Sequence, residues 1–151
     1  MHLTRISGAL GVAGMLLGLV TAMSVTASAE ERSVDLAHRV VMHVNAGDEK
    51  VHQGILNNIR NLYEAVGTGS LKVEVVAHGA GLSLLTRKDT KVGDQLARLK
   101  EQYGVEYTAC SNTMKARGLV RADLIDQVDR TVPAMVRLME LQEQGWAYIK
   151  P

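Results

Sequence analysis

Two hydrophobic periods alternate along this chain, and that alternation restricts its possible folds more than any other feature. Residues 39 to 45, "RVVMHVN", form a short β-branched run that ends in the turn and helix-start residues "AGDEK". From Glu49 to Val66 the period becomes helical: Ile55, Ile59, Leu62 and Val66 recur at spacings of four, three and four, Leu56 and Tyr63 widen the stripe, and "GTG" at 67 to 69 ends it. "LKVEVVAHG" at 71 to 79 predicts a second buried strand. After a turn through "GAG" at 79 to 81 and the short "LSLL" segment, Val92, Leu96, Leu99 and Tyr103 mark a second helix, stopped by Gly104. "VEYTAC" at 105 to 110 is the third strand, and residues 111 to 117 form a short helix closed by Gly118. A fourth strand is expected near 128 to 132, then a helix from Pro133 to Gln144 with Gly145 as its stop, and a last strand in "WAYIK". Strand and helix alternating in this way predict an α/β class: a three-layer α/β/α domain with a mostly parallel sheet of about five strands, covered on both faces through right-handed crossovers.

The aromatics are Trp146 and four tyrosines, with no Phe, so Val, Leu, Ile, Met and Ala must fill the interior. The first 29 residues belong to a different pattern: a short start carrying Arg5, the apolar run "ISGALGVAGMLLGLV", and "ASA" at 27 to 29. This tripartite arrangement predicts a secretory signal cleaved after Ala29, leaving a domain over 30 to 151 in a periplasmic setting. The competing reading is an uncleaved membrane anchor, because residues 6 to 29 carry no charge. The small residues before Glu30 favour cleavage. Loss of Arg5 would leave 16 basic residues against the 16 acidic ones, a neutral chain with no signature of nucleic-acid binding.

Export makes the cysteine usage informative, since oxidising compartments favour paired thiols. Cys110 has no partner in the chain. Three readings fit it: a buried inert residue, half of an intermolecular disulfide, or a reactive thiol. Its position adds weight to the last. In open α/β sheets, ligands gather at the carboxyl ends of the strands, and Asn45, His78 and Cys110 occupy those ends. Cys110 also immediately precedes the helix that begins near Asn112, where unpaired backbone N–H groups favour a thiolate. Such a sulfur is expected to be reachable in the folded protein.

The neighbouring candidates each have a structural and a chemical reading. His78 leaves the second strand in "AHGAG", where it is either a turn histidine or a group that orients or pairs with the Cys110 thiolate. Asn112 and Thr113 are placed to cap the helix after the cysteine or to bind an oxyanion. Arg117 lies about two turns further on, roughly 10 Å from Cys110 along a straight helix. His43 is expected to be a hydrogen-bonded sheet histidine, and His52, on the first turn of its helix, to be solvated. A metal site of His43, His78 and Cys110 at one end of the sheet is the competing reading, but close metal-ligand pairs are lacking, so no metal is expected.

Four strings in this order and spacing, "NNIRNL" at 57 to 62, "VEVVAHGAGLSLL" at 73 to 85, "CSNTMKARGL" at 110 to 119 and "LQEQGWAYIKP" at 141 to 151, resemble the DsrE-like (DsrE/F, YchN-like) family across nearly all of the presumed mature domain. The resemblance implies a compact α/β/α domain that assembles into oligomers. In the sulfur-relay members a cysteine at the end of the third strand, followed after six residues by Arg-Gly, carries sulfur as a persulfide. Here Cys110 is followed by Arg117-Gly118 at that spacing, so the resemblance maps Cys110 onto the sulfur carrier, with a donor or acceptor protein as partner. The alternative is a non-enzymatic oligomeric module that binds a small ligand at the same end of the sheet, with Cys110 merely packed.

Overall fold

The computed structural model describes residues 38–151, so the leader expected over residues 1–29 and its expected cleavage site lie outside the described residues. Five strands, β1 (His38–Val44), β2 (Leu71–Ala77), β3 (Glu106–Cys110), β4 (Arg130–Val132) and β5 (Ala147–Ile149), pair entirely in parallel in the order β4-β3-β2-β1-β5. The helices are α1 (Glu49–Val66), α2 (Gly93–Tyr103), α3 (Ser111–Arg117) and α4 (Ala134–Glu143). The α/β fold with a parallel sheet of five strands is therefore as expected. The helix ends are set by local chemistry. Asp48 caps α1 by accepting from the N–H groups of Lys50 and Val51 at 2.9 and 3.2 Å, and Gly104 and Gly118 close α2 and α3 in the left-handed conformation at φ 68° and 65°. The "GAG" turn is the start of a 3-10 helix, Gly79–Leu85, that runs through "LSLL".

The side chains of each strand alternate between two faces that differ in character. On one face Val40, Met42, Val44, Val73, Val75, Ala77, Tyr107 and Ala109 pack against Ile55, Ile59 and Tyr63 of α1 and Leu96 and Leu99 of α2, forming the main core. His52 belongs to this side and departs from expectation: it is only 5% exposed, because its Nε2 bonds the Ala46 carbonyl at 2.9 Å and ties the α1 start to the loop before it.

The other face is covered by α4, whose Ala134, Leu138 and Leu141 pack on Val41, Val76 and Cys110. This face also holds a carboxylate with no exposure, Glu74. Arg137 of α4 grips it with two bonds, Nε to Oε1 at 2.8 Å and Nη2 to Oε2 at 2.6 Å, the Thr108 hydroxyl donates to Oε1 at 2.6 Å, and Arg130 lies 3.0 Å away. Burial pushes the Glu74 carboxyl up, but the hydrogen bonds from Arg137 and Thr108 and the charges of Arg130 and Arg137 outweigh it and hold it below its ordinary value.

Arg137→Ala leaves this buried charge with only part of its compensation, and is expected to lower the unfolding free energy by about 3 kcal/mol at pH 7 in urea denaturation. A carboxyl with a depressed folded pKa stabilises above its unfolded value and loses that contribution as pH falls through the folded one. The gap between wild type and Arg137→Ala should thus be full above pH 4.5, the ordinary value, and narrow as the pH is lowered further.

Candidate functional site

The α4 face of the sheet carries a diagonal row of chemical groups that starts at its carboxyl edge. Ala77 and Ala109 are in register, so the next residues, His78 and Cys110, stand side by side on adjacent strands about 4.8 Å apart. His78 keeps an extended backbone at φ −147° and ψ 174°, which continues the strand alternation and keeps it on the same face as Val76 and Cys110. His43 of β1 pairs with Val76 and shares that face. Across the sheet from β3 to β5, the row reads Cys110, His78, His43, Tyr148.

His78, His43 and Tyr148 are joined by hydrogen bonds, and Cys110 adjoins His78 without one. Nε2 of His43 lies 2.6 Å from Nε2 of His78, and the ring centroids are 4.8 Å apart with planes inclined by 20°, so the two imidazoles meet nearly head-on and edge to edge. The other nitrogen of His43, Nδ1, bonds the Tyr148 hydroxyl. Burial, together with the positive charge of Lys150, lowers the pKa of both histidines, and His43 is lowered further by His78. Both rings are therefore neutral at pH 7, each with one N–H. His43 is thus a satisfied sheet histidine, as expected. Tyr148 was not singled out in the sequence, where a tyrosine near the end of a chain gives no sign of which strand it will join.

Cys110 closes β3 and occupies the cap position of α3. Burial pushes its thiol up, but the Thr113 hydroxyl and the backbone N–H groups of Ala134, Thr113 and Asn112 outweigh this and make it more acidic than usual. The Ala134 N–H lies 3.5 Å from the sulfur. Two of the three backbone donors come from the start of α3, as expected from sequence. The third backbone donor is supplied by α4, which is 24 residues away. The sulfur is less open than expected: α4 packs over it, and Cys110 is only 5% exposed.

Thr113 does not cap α3, whose start has no side-chain cap. Its oxygen instead accepts the Gly79 N–H at 3.0 Å, and the same hydroxyl contributes to lowering the Cys110 pKa, so one side chain is anchored to the residue after His78 and acts on the sulfur. Asn112 is exposed and contributes its backbone N–H alone. Arg117, the last residue of α3, is exposed and takes part in no ion pair among the described residues; Asn45 follows β1 and is also exposed. Neither joins the row. The 3-10 turn is held against β1 by Gly81, where an added Cβ would fall 2.5 Å from the Val44 oxygen.

An open depression of about 450 Å³ lies between α4 and β5 at the His43–Tyr148 end of this row, lined by His43, Met135, Met139, Gln142 and Tyr148 and reaching neither His78 nor Cys110. Another, of about 500 Å³, sits at the start of α2 beside Arg87, Lys91, Asp94 and Arg98, and none of the row lines it. Among the described residues no three His, Cys, Asp or Glu side chains are placed to share a metal ion.

The assignment of Thr113 is directly measurable. Thr113→Val removes a donor to the thiolate at nearly constant volume, and the midpoint of the pH dependence of Cys110 alkylation is expected to rise by about one unit, the scale of one hydrogen bond to a charged group.

Comparison with known proteins agrees with this architecture. MTH1491, described as a protein of unknown function from Methanobacterium thermoautotrophicum, is 35% identical, with 76% of this chain and 99% of that chain covered at a TM-score of 0.70. The ychN protein from E. coli is 17% identical over 76% of this chain and 99% of that chain at a TM-score of 0.57, a likeness of fold. No curated protein matches the chain. The model of the DsrE/DsrF-like family matches residues 25–151, which contain every strand and helix of the domain, and the chain belongs to that family.

Proposed function

We propose that this protein carries sulfane sulfur on Cys110, as a persulfide carrier or sulfurtransferase accessory. The observation that carries this reading is the set of donors converging on the sulfur from α3 and from α4, which favours the nucleophilic thiolate. The family supports it, because its sulfur-relay members use a cysteine at this position. The Cys110 thiolate attacks the outer sulfur of a donor persulfide R–S–SH, the donor S–S bond breaks, R–S⁻ leaves, and Cys110 becomes Cys–S–SH. An acceptor thiolate then takes the outer sulfur and Cys110 leaves as thiolate. No external oxidant or reductant is consumed.

The 5% exposure of Cys110 favours a second reading, an oligomeric small-ligand-binding module in which the cysteine is packed and unreactive. The two readings part in one experiment. Under the first, intact mass after treatment with a sulfane-sulfur donor shows one added sulfur on wild type and none on Cys110→Ser, while the variant loses no more than about 1 kcal/mol of stability because the same donors serve a serine oxygen. An unmodified wild type together with a strongly destabilised Cys110→Ser supports the second.

Our reading also includes export with cleavage after Ala29 and assembly into a homo-oligomer. The leader supports the first. The second is supported by family and by Met135, Val136, Met139 and Ile149, large apolar side chains exposed on α4 and β5. Material recovered from the exported fraction is expected to begin at Glu30 and to sediment as more than a monomer at micromolar concentration; a membrane-retained full-length chain or a clean monomer would count against the respective part.

A further inference from the structure

Sulfur exchange leaves protons to be moved, and the row beside Cys110 is built to move them. The loading step releases R–S⁻, which needs a proton. The unloading step needs an acceptor thiol to lose one. Two neutral imidazoles joined Nε2 to Nε2 at 2.6 Å, with a phenol on the far Nδ1, form an unbroken hydrogen-bonded chain with one mobile proton per link. Its outer end meets solvent, since Tyr148 is 41% exposed, while its middle, His43, is 8% exposed. Its inner end is Nδ1 of His78, whose residue neighbours Cys110 across the β2–β3 register and is followed by the Gly79 N–H that binds Thr113. His43 is bonded through both ring nitrogens, one more than holding its ring in place requires.

We propose that Tyr148, His43 and His78 form a proton relay serving sulfur exchange at Cys110; this rests on the reading of Cys110 as the sulfur carrier. In the loading polarity the Tyr148 hydroxyl donates to Nδ1 of His43, Nε2–H of His43 donates to Nε2 of His78, and His78 carries its proton on Nδ1. When R–S⁻ leaves, His78 gives it the Nδ1 proton. The His43 Nε2 proton moves to Nε2 of His78, the Tyr148 proton moves to Nδ1 of His43, and Tyr148 takes a proton from solvent. Every group is again neutral, with both tautomers reversed. Unloading runs the chain back: the acceptor thiol gives its proton to Nδ1 of His78, the Nε2 proton of His78 passes to His43, the Nδ1 proton of His43 passes to Tyr148, and Tyr148 releases one to solvent. The acceptor thiolate attacks the outer sulfur, the Cys110 S–S bond breaks, and the starting tautomers are restored. One cycle of sulfur transfer resets the relay, with no net proton held. His78 meets the exchanging sulfur compounds; His43 and Tyr148 act through it. Lys150, Gln142 and Glu143 are the other charged or polar groups beside the row.

The test uses the purified full chain, glutathione hydropersulfide as donor and a small thiol as acceptor, with rapid quenching and mass analysis of Cys110. His43→Gln is expected to slow both loading and unloading by about a hundredfold, the lower range for a general acid or base. The pH dependence of Cys110 alkylation should stay unchanged, because none of the donors to the sulfur belongs to the row. Tyr148→Phe, which keeps the ring at a partly exposed position, is expected to slow exchange in the same direction and to reduce the solvent deuterium isotope effect. Proton NMR should show a strongly downfield imidazole resonance in wild type and in Cys110→Ser, absent in His43→Gln. Loading at the wild-type rate in both His43→Gln and Tyr148→Phe overturns the relay and leaves the carrier reading standing. Failure of the wild-type chain to take up any sulfur overturns both.

Discussion

Arg137 reaching the wholly buried carboxylate of Glu74 is the contact on which the chemistry-bearing side of this domain depends. The opposite face of the sheet is apolar from Val40 to Ala109, and helices with an apolar stripe cover it by burial alone. The α4 face interrupts its apolar residues with Glu74 and Thr108 at no exposure. An unpaired carboxylate there would cost several kcal/mol, so the helix that covers it must bring a cation in the right place. The planar fork of Arg137, set among Ala134, Leu138 and Leu141, meets both carboxylate oxygens, and a bidentate contact of this kind fixes how far along and around α4 sits.

Much of the site follows from that placement. With Arg137 anchored, the first N–H of α4, from Ala134, points at the Cys110 sulfur, and Met135 and Met139 form the wall of the depression over His43 and Tyr148. The cost of the arrangement is cover. The helix that helps to stabilise a thiolate also shields the sulfur from solvent, so acidity and accessibility oppose each other at Cys110, and exchange with a partner requires approach from the edge of the sheet. Thr113 ties the two halves together, because its hydroxyl accepts from the turn after β2 and helps to make the thiol at the end of β3 more acidic. Gly81 keeps that turn tight against β1, where no larger residue fits without displacement.

Most of the fold was legible in the sequence because it rests on local signals. The four-three-four spacing from Ile55 to Val66, the stop glycines 67, 104 and 118, and the short β-branched runs each act within a few residues, and the observed elements follow them closely. The site was legible only in part. That Cys110 and His78 lie at strand ends follows from the strands themselves, and the parallel register then makes them neighbours. Asn45 and Arg117 were placed at the right ends of their elements but face solvent there, since position along an element does not state which way a side chain turns. Asn112 and Thr113 had the composition of helix caps, yet Cys110 holds the cap position and Thr113 is drawn instead to Gly79.

What the sequence determined by itself is the alternation of strand and helix, the parallel sheet this implies, the family, and a lone thiol at a strand's carboxyl end, because periodicity, turn chemistry and motif order are all written in nearby residues. What only the tertiary structure decided is which distant groups meet. Strand order placed β5 beside β1, bringing Tyr148 to His43 over a separation of 105 residues, and α4 brought Ala134 to Cys110 and Arg137 to Glu74. Such contacts arise from burying a whole face of the sheet at once, and no local pattern in the chain encodes them.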